Sequence, residues 1–250
     1  MLNNHRMTIA RAITLVLLAA TLGAASPAWA TADQPLVVVE LFTSEGCSSC
    51  PPADAYLGEL AQRPGILALA YHVDYWNYIG WTDPFASKLA TQRQREYSRQ
   101  LNMRYVYTPQ MVIDGVTEGV GSERETIEAL IKAAMDEKAL HQHVTILREA
   151  PGKLVVHVDA GSAAAPATLW LVGFDREHAT PVLRGENEGR TLREYQIVRS
   201  TEAIGTWKGE ALDLVIPADR PGGDGGVAVL LQQGGSGRII GAAVLKPPTS

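Results

Sequence analysis

The stretch LVVVELFTSEGCSSCPPAD, residues 36–54, joins an apolar run to a turn that carries two cysteines. Leu36 to Phe42 is short, rich in β-branched residues and almost without charge, the pattern of a buried strand. TSEGCSSCPP then breaks the run. Tyr56, Leu57, Leu60 and Ala61 recur at helical spacing, so Cys47 and Cys50 stand where a strand hands over to a helix. Outward from there, Ile66 to Val73 (ILALAYHV) is a second strand. Asp83-Pro84 reads as a helix start, since proline is tolerated in a first turn, and a polar helix runs to about Leu101. Gln110 to Ile113 is a third strand, Asp114-Gly115 a hairpin turn, and Val116 to Val120 a fourth strand. Ser122 to Glu125 is an S-x-x-E capping box. It opens an amphipathic helix with Ile127, Leu130, Ile131 and Ala134 on one stripe. The order is β-α-β-α-β-β-α.

Near residue 140 the pattern changes. Segments 142–149, 153–160, 168–175, 191–198, 211–217, 226–233 and 238–246 all read as strands, with turns at Ala150-Pro151-Gly152 and Gly234 to Gly237. Short strands without helices predict a β-sandwich. The expected organisation is therefore a leader over 1–30, an α/β domain over 35–140 and an all-β, sandwich-like domain over 141–250. Each half has roughly 110 residues, enough for its own core. The segment 176–190 is expected to be a loop, with Arg184, Glu186, Asn187, Glu188 and Arg190 bonding it to itself.

The bulk properties are those of an ordinary globular chain. Of 250 residues, 46% are hydrophobic and 20% charged, which excludes a disordered chain. Net charge is −5, against a dedicated nucleic-acid binder. The first eleven residues carry Arg6 and Arg11 and no acid, AITLVLLAATL follows as an apolar run, and Ala28-Trp29-Ala30 is an A-x-A site. This is the pattern of a secretory signal peptide. It predicts a periplasmic or secreted protein, in an oxidising compartment where two cysteines can pair, with no membrane span after the leader is removed.

Cys47-Ser48-Ser49-Cys50 carries the clearest chemistry. A helix N-terminus presents unpaired N–H groups and the positive end of the dipole, which favour a thiolate. The expectation is an exposed, nucleophilic Cys47 and a buried, resolving Cys50. An inert structural disulfide and a metal site completed by His72 are the alternatives, the latter as Cu(I) held by thiolates and imidazole. Otherwise no metal and no cofactor are expected. Tyr107-Thr108-Pro109-Gln110 precedes a strand, where Pro109 is expected to be cis beside the cysteines, with an ordinary trans proline the alternative. His72 and Asp74, two apart at a strand end, are expected to share a face. Asp74 is then a proton acceptor for Cys50 and His72 a thiolate stabiliser; alternatively His72 is simply hydrogen-bonded and Asp74 caps a turn. Trp76 and Trp81 in YWNYIGW form either an apolar lip over the disulfide or an insertion packed on the second domain. Glu45 is expected to be solvated or to oppose the thiolate, and Arg93 belongs to a basic, wet helix face.

VVVELFTSEGCSSCPPAD, HVDYWNYIGWTDPF, YTPQMVIDG and, in the second half, GENEGRTLREYQIVR together resemble the secreted thioredoxin-like family called domain of unknown function 1223. The resemblance covers nearly the whole chain after the leader. It implies a thioredoxin-like fold for the α/β part and membership of the thiol-disulfide superfamily. The chain differs from thioredoxin itself in having Gly46 directly before Cys47 and Pro51-Pro52 after Cys50, which are expected to distort the first helical turn. The expected function is a thiol-disulfide oxidoreductase acting on protein or small thiol and disulfide substrates, with its redox chemistry wholly in the first half, where both cysteines lie. The alternative is a periplasmic binding or interaction protein.

Overall fold

The computed structural model describes residues 1, 30–31, 35–137, 141–162, 164–220 and 222–247. The leader expected over 1–30 lies almost entirely outside these residues. In chain order the elements are β1 (Ala30–Thr31), β2 (Val37–Thr43), α1 (Pro51–Leu60), β3 (Ile66–His72), α2 (Lys88–Gln100), β4 (Gln110–Ile113), β5 (Thr117–Val120) and α3 (Arg124–Glu137). The all-strand part follows as β6 (Val144–Ala150), β7 (Lys153–Val158), β8 (Ala167–Pro181), β9 (Thr191–Trp207), β10 (Leu212–Pro217), β11 (Gly226–Gln233) and β12 (Ile239–Lys246).

β2 is buried along its whole length, as its unbroken apolar run requires of a strand covered on both faces. Val37, Val39 and Leu41 point to the side covered by α1 and α3, where Leu57, Leu60, Ile127 and Ile131 pack on them. Val38 and Phe42 point to the other side, with Leu67, Tyr71 and Tyr97. The β4–β5 hairpin turns at Asp114-Gly115 with both φ angles positive, 46° and 72°, the backbone that Asp-Gly supplies at low cost.

The expected fold class, a thioredoxin-like α/β domain followed by a separate sandwich, is overturned by the sheet. One nine-stranded mixed sheet runs in the order β1-β12-β11-β8-β9-β3-β2-β4-β5. β3 lies parallel to β2 on one side and meets β9 on the other, with Ala70 opposite Ile197. The halves also share a core. Phe42, Leu67, Tyr71 and Tyr97 pack in one cluster with Val172, Phe174, Ala228, Leu230 and Val244. A separate three-stranded sheet, β10-β7-β6, covers β8, β11 and β12 through Ile146, Leu154, Val156, Leu169, Trp207 and Leu231. The physical reason is the length of β8 and β9. At 15 and 17 residues they are long enough to pair with each other throughout and still reach the first half. β8 continues to Pro181, into the segment expected to be a loop.

Candidate functional site

α1 begins at Pro51, with Cys50 as its N-cap residue. The backbone N–H groups of Ala53 and Asp54 donate to the Cys50 carbonyl at 2.8 and 3.1 Å, so the first turn closes without the expected distortion. Pro51 and Pro52 occupy positions whose N–H groups would have had no helical partner. The consequence runs against the sequence argument for a dipole-stabilised thiolate, because those two donors are missing. The polar contact to the first sulfur is instead Ser49, whose Oγ lies 3.4 Å from Cys47 Sγ.

Cys47 and Cys50 form a disulfide with their Cα atoms 5.4 Å apart. Cys47 was expected to be exposed; it is only 1% exposed, and Cys50 is fully buried. The cover comes from the second half. Residues 182–190, the connection from β8 to β9, lie over the cysteine turn as a strap. Asn187, itself fully buried, donates through Nδ2 to the carbonyls of Glu45 (2.9 Å) and Cys47 (3.0 Å). Arg190 Nη1 donates to Asn187 Oδ1 at 2.8 Å and holds that amide. The Ser48 N–H donates to Glu186 Oε2 at 3.3 Å. Gly185 passes so close to Trp81 that a Cβ there would lie 3.2 Å from the Trp81 Cβ. The loop bonds to itself only in part, and the site is not confined to the first half.

Beneath the turn lies a cluster of buried ionisable groups. His72 Nδ1 lies 2.8 Å from Asp83 Oδ2, and both side chains are fully buried. Burial opposes a charged imidazole, but Asp83 outweighs it and raises the His72 pKa to about 9. Burial likewise opposes the Asp83 carboxylate, yet His72 and two backbone donors hold its pKa below the usual value. One of those donors is the Glu45 N–H, at 2.9 Å, so Asp83 also fixes the approach to the cysteines. Asp54, in the first turn of α1, accepts a hydrogen bond from Thr43 Oγ1 at 2.7 Å. Burial raises its pKa to about 7, with the Thr43 bond pulling the other way. Glu194 on β9 is pushed well above the ordinary carboxylate range, by burial first and by Asp54 second. Glu45, expected to be solvated, is buried; desolvation and then Asp83 raise its pKa, while Trp81 Nε1 donates to its Oε2 at 2.7 Å.

Asp74 does not join this cluster. β3 ends at His72, so the two-residue alternation that places His72 and Asp74 on one face stops before Asp74. Thr91 Oγ1 donates to Asp74 Oδ1 at 2.6 Å, tying it to α2. Trp76 links the cysteine turn to the proline segment. A Cβ on Gly46 would lie 3.1 Å from the Trp76 Cβ, and Trp76 Nε1 donates to Thr108 Oγ1 at 2.8 Å. The Thr108–Pro109 bond is cis. Trp76 and Trp81 therefore brace the turn by hydrogen bonds. Among the described residues no group of three or more His, Cys, Asp or Glu side chains is arranged to hold a metal ion; His72 Nδ1 is taken by Asp83, while its buried Nε2 makes no hydrogen bond. No described helix is long and apolar enough to cross a membrane.

Sequence reasoning missed Asp54, Asp83, Asn187 and Glu194. Asp54 had a signal, an acid four residues after a cysteine at a helix start; Asp83 was read only as a helix start. Asn187 and Glu194 reach the site through sheet topology, which spacing does not encode.

The family described as "Protein of unknown function (DUF1223)" matches residues 38–232. Protein AGR_C_4864 of Agrobacterium tumefaciens, solved by X-ray crystallography, is similar at 33% identity and a TM-score of 0.74, over 87% of this chain and 96% of that one. HBP35 of Porphyromonas gingivalis shares the fold at 14% identity and a TM-score of 0.58, over 87% of this chain and 78% of that one. No curated protein matches.

Proposed function

The chain belongs to the DUF1223 family of proteins of unknown function, and we propose that it carries out thiol-disulfide exchange at Cys47 and Cys50. The observation that carries this is the placement of a cysteine pair at the start of α1 with a buried acid, Asp54, in the first turn of that helix. Its pKa of about 7 suits it to give and take a proton near neutral pH.

In the oxidising direction a substrate thiolate attacks Cys47 Sγ. A new sulfur–sulfur bond forms, the Cys47–Cys50 bond breaks, and its electron pair leaves on Cys50 Sγ, which takes the Asp54 proton. A second substrate thiolate attacks the substrate sulfur of this mixed disulfide and releases Cys47 as thiolate. Two substrate thiols become one disulfide, and the cysteine pair is left reduced. The Ser49 hydroxyl is placed to stabilise the departing Cys47 thiolate. The leader pattern supports a periplasmic or extracellular setting, with protein or small-molecule thiols as partners.

The test is trapping. Cys50→Ser is expected to accumulate a mixed disulfide at Cys47 with an added aromatic disulfide, and Cys47→Ser is not. Trapping on Cys50 instead would reverse the roles. The near-complete burial of both sulfurs favours a second reading, a structural bridge. That reading predicts that the native disulfide resists dithiothreitol until the protein unfolds.

A further inference from the structure

Glu194 is a buried titratable group that the exchange steps leave without a task. It stands on β9, 1% exposed, and its Oε1 has no hydrogen-bond partner. α1 packs directly on this strand, since a Cβ on Gly58 would lie 2.7 Å from the Tyr195 ring. Asp54, on the same helix, faces β9 across a cavity of about 300 Å³ that Pro51, Leu192 and Tyr195 also line.

The charges around Glu194 come from every element packed against it. Asp54 belongs to α1, His72 to β3, Glu45 to the cysteine turn and Asp83 to the segment before α2. The cation among them, His72, is already matched by Asp83 at 2.8 Å, and its Nε2 makes no hydrogen bond to Glu194 or to any other group. Arg190 and Arg193 line the cavity too, but they bond to Asn187 and Glu177. Buried charge elsewhere is paired: Arg93, expected on a wet helix face, is 7% exposed and meets Glu40 at 2.6 Å. Asp54 and Glu194 have no such cation. Two neighbouring buried carboxyls resist ionising together, so the pair gives up its protons in two separated steps. When Asp54 ionises, Glu194 keeps its proton.

On the basis of the exchange reaction at Cys47 and Cys50, we propose that Glu194 is a positioning residue for it, the proton reserve of Asp54. After Cys50 Sγ takes the Asp54 proton, the Asp54 carboxylate faces a protonated Glu194. The Glu194 O–H bond breaks, an Asp54 O–H bond forms, and the negative charge moves to Glu194 until solvent returns a proton through the cavity. Asp54 is then an acid again while the strap stays closed.

The pH profile of disulfide reduction by dithiothreitol in the full chain tests this, each rate being divided by the thiolate fraction of the reagent. Wild type is expected to hold its rate through pH 8. Glu194→Gln keeps the shape and removes the reserve. It should match wild type at pH 6 and be about tenfold slower at pH 8, because a lone acid of pKa about 7 is depleted roughly tenfold per pH unit above it. A merely structural role would move the rate alike at every pH. Glu194→Asp should restore most of the rate at pH 8. Where Glu194→Gln fails to fold, Glu194→Met, of similar length and without a proton to give, takes its place. Asp54→Asn separates the two readings and is expected to be slow at every pH. Should it be as fast as wild type, or should the native disulfide resist dithiothreitol, the exchange reading falls and the proton reserve with it. A slow Asp54→Asn beside a Glu194→Gln profile parallel to wild type overturns the proton reserve alone.

Discussion

Asp54 keeps its proton to about pH 7 because burial disfavours the carboxylate, whereas in an unfolded chain it ionises near 3.8. Between those values the folded state binds more protons, so this residue makes stability fall as pH rises. Asp54→Asn removes that dependence: urea midpoints of wild type should drop, relative to the variant, between pH 4 and 7. Parallel midpoints across that window would refute a buried protonated acid. His72 makes stability fall with rising pH as well, but in a higher window and through a partner rather than through burial. Its pKa is raised to about 9, so its contribution is fully present below about 6.5 and is lost as pH climbs through 9. Asp83, held low by His72, loses its contribution on acidification. Asp83→Asn leaves the imidazole buried without its counter-charge and is expected to cost about 3–5 kcal/mol, read from equilibrium denaturation at pH 7; a loss below 1 kcal/mol would contradict a buried ion pair. At this scale the cysteine pair was legible, because two cysteines three apart at a strand–helix junction leave little choice. The partner of His72 was not. Spacing put Asp74 on the same face as His72, but the strand ended first, and the acid that meets His72 is Asp83, from an irregular segment.

Among the elements, the strap from β8 to β9 controls access to the sulfurs. Asn187→Ala removes two hydrogen bonds, leaving the buried Glu45 carbonyl without its donor and the Cys47 carbonyl with the Cys50 N–H alone, at about 1–3 kcal/mol. The loss falls on the closed strap, so reduction of the native disulfide by dithiothreitol should speed up about tenfold or more. Thiol quenching followed by mass measurement reads the rate directly. An unchanged rate would mean that the strap does not limit access. The strand pattern of β8 and β9 was visible in their apolar alternation, and so was the polar connection between them. What that connection touches was invisible, since Asn187 and Cys47 stand 140 residues apart in sequence.

At the scale of the whole molecule, the shared core predicts joint unfolding. A fragment of residues 35–140 loses Val172, Phe174, Ala228, Leu230 and Val244 from the cluster around Phe42 and Tyr97, and is expected not to fold. Amide spectra of the fragment with native-like dispersion would disprove this. In the full chain the Trp207 environment and the burial of the cysteine pair should be lost at one denaturant midpoint. The positions of most strands could be read from sequence, because alternation marks a strand and its buried face. Their neighbours could not: residues 66–72 show that β3 is buried, yet nothing in them says that β9 lies alongside. The strap also sets an order of events at the ribosome. Domains emerge and fold from the N-terminus, so the cysteines leave the exit tunnel well before Asn187 has been joined to the chain. During that interval the pair is bare to any oxidant, and only completion of the β8–β9 hairpin seals it. The pair is therefore open to oxidation before the strap closes, in whatever compartment the unfinished chain has reached.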